Sequence, residues 1–182
     1  MGIPGAMVRS AEEWLAHPQG QPLVAVPTVE VVKIADGEPV PFDAHEQGDD
    51  RPLSGMRVLD VTRVLAGPTC ARTLAEHGAE VLKVNSPVLP YINGFVVDTG
   101  HGKRSCLLDL KDEQQAETLR ALVQDADVFS QGYRGGAMER LGFDQTTSHQ
   151  LAEKGLYMSP STVMVTQGRG RTARAGSSSL RR

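Results

Sequence analysis

Two hydrophobic rhythms alternate through the middle of this chain. The run Arg57-Val58-Leu59-Asp60-Val61 is short, aliphatic and β-branched, the signature of a buried strand. From Thr69 to His77 the apolar residues return at helical spacing, with Pro68 suited to the first helical position and Gly78 to the helix end. Glu80 to Val84 and Ser105 to Leu110 read as further strands. Asp112 to Gln124 is an amphipathic helix with Ala116, Leu119, Leu122 and Val123 on one face. Ala126 to Ser130 follows as a strand, and Leu156-Tyr157-Met158 opens another. Strand and helix signals alternating at this spacing predict an α/β class: a Rossmann-like partial domain with a parallel sheet and right-handed crossovers.

The flanks differ from this middle. Ser10 is an N-cap candidate with Glu13 three residues on, a capping box, and His17-Pro18-Gln19-Gly20 stops that short helix. Val24 to Ile34 is β-branched and partly alternating, so a strand is predicted with Pro27 near its start. The acidic, Gly-containing stretch after Asp43 reads as a linker. Four segments result: an N-terminal helix-strand segment at 1–44, a linker at 45–50, the α/β part at 51–158, and a tail at 159–182. After Lys154 there is no Asp or Glu, and five arginines lie in a Gly/Ser/Thr-rich run with almost no large apolar residue. Such a tail buries too little to offset its ordering entropy and is expected to be disordered.

At 182 residues the chain suits one ordinary domain. A net charge of -3 argues against a dedicated nucleic-acid or anionic-membrane binder. No apolar stretch approaches the roughly 20 residues of a membrane span, and no signal peptide opens the chain, so a cytoplasmic location is expected. Cys70 and Cys106 form neither a disulfide framework nor a metal cluster, and no metal is expected.

Candidate chemistry centres on Arg63 to Gly67, which joins a strand to a helix at the carboxyl edge of the sheet, where open α/β folds bind ligands. The segment lacks the Gly-x-Gly-x-x-Gly spacing of a dinucleotide site. Other conspicuous residues take structural readings. Cys70 is a small helical residue, His77 a favourable cation at a helix end, Trp14 a packing anchor, and Lys103-Arg104 a solvated rim. His101, just before Gly102-Lys103-Arg104, could face a ligand, though no other residue supports this.

The segment from Pro52 through Arg57-Val58-Leu59-Asp60-Val61-Thr62-Arg63-Val64-Leu65-Ala66-Gly67-Pro68 resembles the opening of the class III CoA-transferases, the CaiB/BaiF type. This family includes formyl-CoA transferase, carnitine CoA-transferase and α-methylacyl-CoA racemase. Gly78-Ala79-Glu80-Val81-Leu82-Lys83-Val84, Gly102-Lys103-Arg104-Ser105, Leu108-Asp109-Leu110-Lys111, Ala126-Asp127-Val128 and Glu139-Arg140-Leu141-Gly142-Phe143 follow in the family's order. Val8 to Pro18 resembles instead the C-terminal end of a class III unit, as in a fused or duplicated parent.

The resemblance implies a protein that moves CoA between carboxylic acids through an aspartyl intermediate, with CoA or acyl-CoA as substrate, no covalently bound cofactor, and a homodimer in intact members. It implies CoA contacts at Leu65 and Ala66, at Leu108, Asp109, Leu110 and Lys111, at Gly132, Tyr133 and Arg134 beside the adenosine, and at Arg140 on a phosphate, since a planar guanidinium pairs with phosphate oxygens. The nucleophilic aspartate lies downstream of the likeness, so no catalytic residue is assigned and the chain alone is expected to be inactive. A racemase-type fragment and a non-catalytic CoA- or nucleotide-binding module are the alternatives. A second reading frame entered at the Val163 codon is compatible with a family-like continuation, so a frameshift after about residue 159 is the expected origin of the tail. Asn85-Ser86-Pro87 departs from the family's acidic residue and turn, and Arg134-Gly135-Gly136 replaces a proline-containing turn. Both changes predict weaker CoA binding than in complete members.

Overall fold

The computed structural model describes residues 7–27, 31, 33, 51–133 and 136–144, together with the backbone of 157–160. Two units divide the chain, residues 1–31 with 163–182, and residues 32–162.

In the first unit, helix α1 (Ala11–Ala16) starts at Ser10 with both arms of the capping box closed. Ser10 Oγ accepts from the Glu13 N–H at 3.2 Å, and Glu13 Oε2 accepts from the Ser10 N–H at 2.8 Å. No residue of α1 is buried. Trp14, expected as a packing anchor, stacks on His17 with centroids 5.6 Å apart. The strand expected from Val24 does not begin there. A 3-10 turn occupies Gln21–Leu23, and Val24 keeps helical angles. Pro22 presets φ for that turn, and the Val24 and Val26 N–H groups donate to Gln21 O and Leu23 O. Val31 and Lys33 carry no regular structure, and the rest of that predicted strand and the linker lie outside the described residues.

The second unit runs β1 (Arg57–Asp60), α2 (Ala66–Glu76), β2 (Glu80–Asn85), α3 (Asn93–Thr99), β3 (Lys103–Leu107), α4 (Glu113–Gln124), β4 (Val128–Gln131) and β5 (Tyr157–Pro160). The strands pair in parallel in the order β3-β2-β1-β4-β5. Strand alternation sends the two sides of the sheet to different helices. Val58, Val81 and Val128 pack with Ala71 and Ala75 of α2. Leu59, Val61, Val84 and Phe129 pack with Ala116, Leu119 and Val123 of α4. The predicted α/β class with a parallel sheet is therefore found. Successive strands grow outward from β1 to β3, then the chain crosses to β4 on the other side of β1. That reversal opens a crevice at the carboxyl ends of the strands.

Several boundaries move. Helix α2 starts at Ala66, three residues before the predicted Thr69, because Pro68 sits where helical N–H groups have no partner in any case. It ends at His77 with Gly78 at φ +105°, where a Cβ would meet Ser54 Oγ at 2.7 Å. Strand β3 spans Lys103–Leu107 and not Ser105–Leu110, since β2 ends at Asn85, the pairing partner of Leu107. Strand β4 starts at Val128, two residues late, because the Ala126 N–H still closes the turn after α4 on Val123 O, while the Asp127 N–H already reaches Arg57 O of β1. Helix α3 was not predicted: Gly94 and the β-branched pair Val96-Val97 are weak helix formers, and Ile92 at its N-cap makes no side-chain cap bond.

Candidate functional site

A shallow cleft lies along the carboxyl edge of the sheet. Val61 follows β1, Val84 to Ser86 with Val88 and Leu89 end and follow β2, Leu108 to Lys111 follow β3, and Tyr133 follows β4. Ala137, Met138 and Leu141 form the remaining wall. Tight turns hold this lining in place. Asp109 Oδ1 accepts from the Lys111 N–H at 3.1 Å, and the Asp109 N–H donates to Gln115 Oε1 at 2.8 Å. Most of the wall is aliphatic, with Asn85, Ser86, Asp109, Lys111 and Tyr133 as its residues that carry polar side-chain groups. Burial raises the Tyr133 phenol pKa, and the Asp60 charge adds to this while Arg63 opposes it, so the hydroxyl stays protonated as a donor at neutral pH.

Beside the cleft, the β1–α2 loop runs through Arg63, Val64 and Leu65. Val64 adopts φ +70°, an unfavourable region for a β-branched residue. Leu65, at the N-cap of α2, makes no side-chain cap bond. The Arg63 guanidinium donates to the Pro90 carbonyl and so ties this loop to the one after β2. Gly67 is pressed on the Thr62 side chain, leaving no room for a Cβ.

Beneath the loop lies a charged cluster. Asp60 is 0% exposed. Its Oδ1 accepts from the Thr62 N–H at 3.0 Å, from Thr62 Oγ1 at 2.5 Å and from Lys83 Nζ at 3.3 Å. Its Oδ2 accepts from Lys103 Nζ at 2.8 Å. Lys83 also donates to the Thr62 carbonyl, and Lys103 to the Pro68 carbonyl at 2.7 Å. Burial by itself would raise the Asp60 pKa. The Lys83 charge, the hydrogen bonds from Lys103 and Thr62 and the Lys103 charge outweigh it and hold the carboxyl below its ordinary value. Burial lowers the Lys83 pKa, Asp60 offsets only part of this, and Lys103 and Arg63 push the same way. Ser130, opposite Asp60 in the β1–β4 pairing, is buried with its Oγ unpartnered among the described residues.

The predicted residues separate into groups. Leu108, Asp109, Leu110, Lys111 and Tyr133 converge on the cleft, bringing two distant stretches of sequence together. Gly132 is exposed next to Tyr133, and Arg140 is exposed on a 3-10 turn (Glu139–Leu141) beside the lining Leu141. Neither lines the cleft. Leu65 and Ala66 stand exposed at the start of α2. Arg134 lies outside the described residues. The expected solvated rim at Lys103-Arg104 is corrected in half: Arg104 is exposed, but the Lys103 side chain is 2% exposed and bound to Asp60. The Asp60 cluster was missed. Its signal was a charge recurring two residues after a buried valine, Val58 then Asp60 and Val81 then Lys83, on the face turned to α2.

Among the described residues no group of three or more His, Cys, Asp or Glu could hold a metal, and no helix is long and apolar enough to cross a membrane.

Comparison with known proteins matches residues 53–161 to a family model described as CoA-transferase family III. An acyl-CoA transferase from Gibberella moniliformis is 37% identical over 157 residues, covering 84% of this chain and 27% of that relative. The acetyl-coenzyme A transferase nodX from Hypoxylon pulicicidum is 38% identical over 144 residues, 76% of this chain and 24% of that relative. The chain thus spans about a quarter of the length of the curated relatives it matches. Among solved structures, Rv3272 from Mycobacterium tuberculosis superimposes with a TM-score of 0.61 at 30% identity, over 68% of this chain and 35% of that one. A CAIB/BAIF family protein from Brucella suis gives a TM-score of 0.58 at 29% identity, over 66% of this chain and 36% of that one.

Proposed function

The chain belongs to CoA-transferase family III, and on that footing we propose that residues 51–158 form the CoA-receiving part of an acyl-CoA:carboxylate CoA-transferase. The observation that carries this reading is the cleft. Leu108 to Lys111 and Tyr133, separate in sequence, line one apolar recess at the carboxyl edge of a parallel sheet. Such a recess suits a flat adenine, with the Tyr133 hydroxyl as a donor and Lys111 as a cation for phosphate. Arg140 stands on the adjacent turn for a second phosphate oxygen. Leu65 and Ala66, at the uncapped start of α2, are assigned to the pantetheine arm.

The aspartyl chemistry of the transfer is assigned to a residue outside the matched stretch. A carboxylate nucleophile must reach the thioester carbonyl, and Asp60 is sealed under the β1–α2 loop with both oxygens occupied by lysines. On this reading the matched stretch contributes CoA binding, and Asp60 is not the attacking carboxylate.

Calorimetric titration of the full 182-residue chain with CoA tests this, with Ala137→Trp as the partner experiment because an indole there fills the cleft. Saturable binding by the wild type, micromolar or weaker, and its loss in Ala137→Trp are expected. A wild type that gives no binding heat, or an Ala137→Trp chain that binds equally well, overturns the reading.

A further inference from the structure

Two lysines, Lys83 partly buried and Lys103 with its side chain buried, hold both ends of the loop that carries Leu65 and Ala66. At its start, Lys83 Nζ donates to the Thr62 carbonyl. At its end, in the first turn of α2, Lys103 Nζ donates to the Pro68 carbonyl at 2.7 Å. One carboxylate orients both lysines, since Asp60 offers Oδ1 to Lys83 and Oδ2 to Lys103. Thr62 completes the ring by donating to Asp60 while its side chain bears on Gly67.

Between these anchors the loop takes a shape its own residues do not favour. Val64 is β-branched and sits at φ +70°. Leu65 holds φ -135° and ψ -63° without any cap bond. Residues in sparsely populated backbone regions persist when their surroundings impose them. The anchors are the surroundings that touch both loop ends.

Stability alone is a poor reason for such a cluster. One buried and one partly buried cation on a single buried anion leave an uncompensated charge, and well-packed apolar residues of similar volume commonly stabilise a core at least as well. What apolar residues cannot supply is the pair of directed bonds to the Thr62 and Pro68 carbonyls.

We propose that Asp60, Lys83 and Lys103 are positioning residues for CoA binding: together they clasp the Arg63–Ala66 loop in the strained form that presents Leu65 and Ala66 to the substrate. This rests on the CoA reading of the adjoining edge.

The test measures the CoA dissociation constant and the amide exchange of residues 63–67 in the full chain. Lys103→Met keeps the aliphatic stem and removes the tether to Pro68. The double variant Asp60→Asn/Lys103→Met removes one charge of each sign, so it keeps the buried net charge and carries the test if Lys103→Met does not fold. Val58→Ala, in the core two residues before Asp60 and in contact with neither loop anchor, is the control for a general loss of stability. CoA binding is expected to weaken about tenfold in both tether variants, as for a site that loses its preorganisation. Faster exchange confined to 63–67 should accompany it, Lys103→Arg should recover most of the affinity, and Val58→Ala should bind as the wild type does. A wild type that binds CoA while the tether variants stay within about twofold of it overturns the clasp alone. Equal weakening in Val58→Ala does the same. A wild type that binds no CoA overturns the reading of the cleft, and the clasp with it.

Discussion

Asp60 Oδ2 lies 2.8 Å from Lys103 Nζ although 43 residues separate the two in the chain. Strand β2 lies between their strands, and its Lys83 takes the other oxygen of the same carboxylate. The contact therefore spans three neighbouring strands and, through Pro68 O, the first turn of α2.

Asp60→Asn removes the charge that both lysines face while keeping the side-chain shape. With the carboxylate 0% exposed, breaking the pairing should cost about 3–5 kcal/mol of folding stability. The midpoint of urea unfolding reports it. A loss below about 1 kcal/mol would mean that the lysines find solvent once the carboxylate is gone.

The pH dependence should rise in two windows. Burial raises the Asp60 pKa and its lysine and threonine partners lower it further than that, for a net depression. Its stabilisation is therefore fully present above the unfolded value of about 4 and is lost as pH falls through the lower folded value. Lys83 is also depressed, by burial first. For a lysine this means that the unfolded chain holds the proton longer, so stability climbs as pH rises from the folded pKa toward about 10.4. Thermal midpoints measured across both limbs should show Asp60→Asn flattening the acid limb and Lys83→Met flattening the alkaline one.

Two glycine replacements should move stability in opposite directions. Gly67→Ala drives a methyl group into Thr62, which is itself bonded to Asp60, and should cost about 1–3 kcal/mol. Gly94→Ala, in α3 with open space around it, should add about 0.5–1 kcal/mol through helix propensity. In the same way Val64→Gly should stabilise by about 1 kcal/mol, since it removes the penalty of a left-handed β-branched residue. Denaturant midpoints of the three variants decide each sign.

Lys111→Met should weaken CoA binding severalfold, the scale of a partly solvated charge contact of about 1 kcal/mol. The difference from wild type should shrink as salt rises from about 0.05 to 0.5 M, because an exposed cation and phosphate are screened. Calorimetry at both ionic strengths measures it. A salt-independent difference would remove Lys111 from a phosphate role.

Local signals determine much of this protein. Ser10 with Glu13 and Gly78 after α2 each mark a helix end, because a capping side chain or a positive φ acts within a few residues. The aliphatic runs around Val58, Val81 and Val128 announced buried parallel strands, and family likeness singled out Leu108 to Lys111 and Tyr133. Helix α3 has no such local signal, since Gly94 and Val96-Val97 are weak helix formers.

Tertiary structure decided the rest. Whether Lys103 meets water or a carboxylate depends on β3 lying two strands from β1 and on α2 covering that face. Whether Val64 takes a left-handed conformation depends on what holds Thr62 and Pro68. Leu65 and Ala66 were expected at one site with Leu108 and Tyr133, yet they stand outside the cleft that those two line. Sequence spacing records which residues share a face of one element. The partners of a buried charge are fixed by strand order and helix placement, which bring together side chains that no local pattern relates.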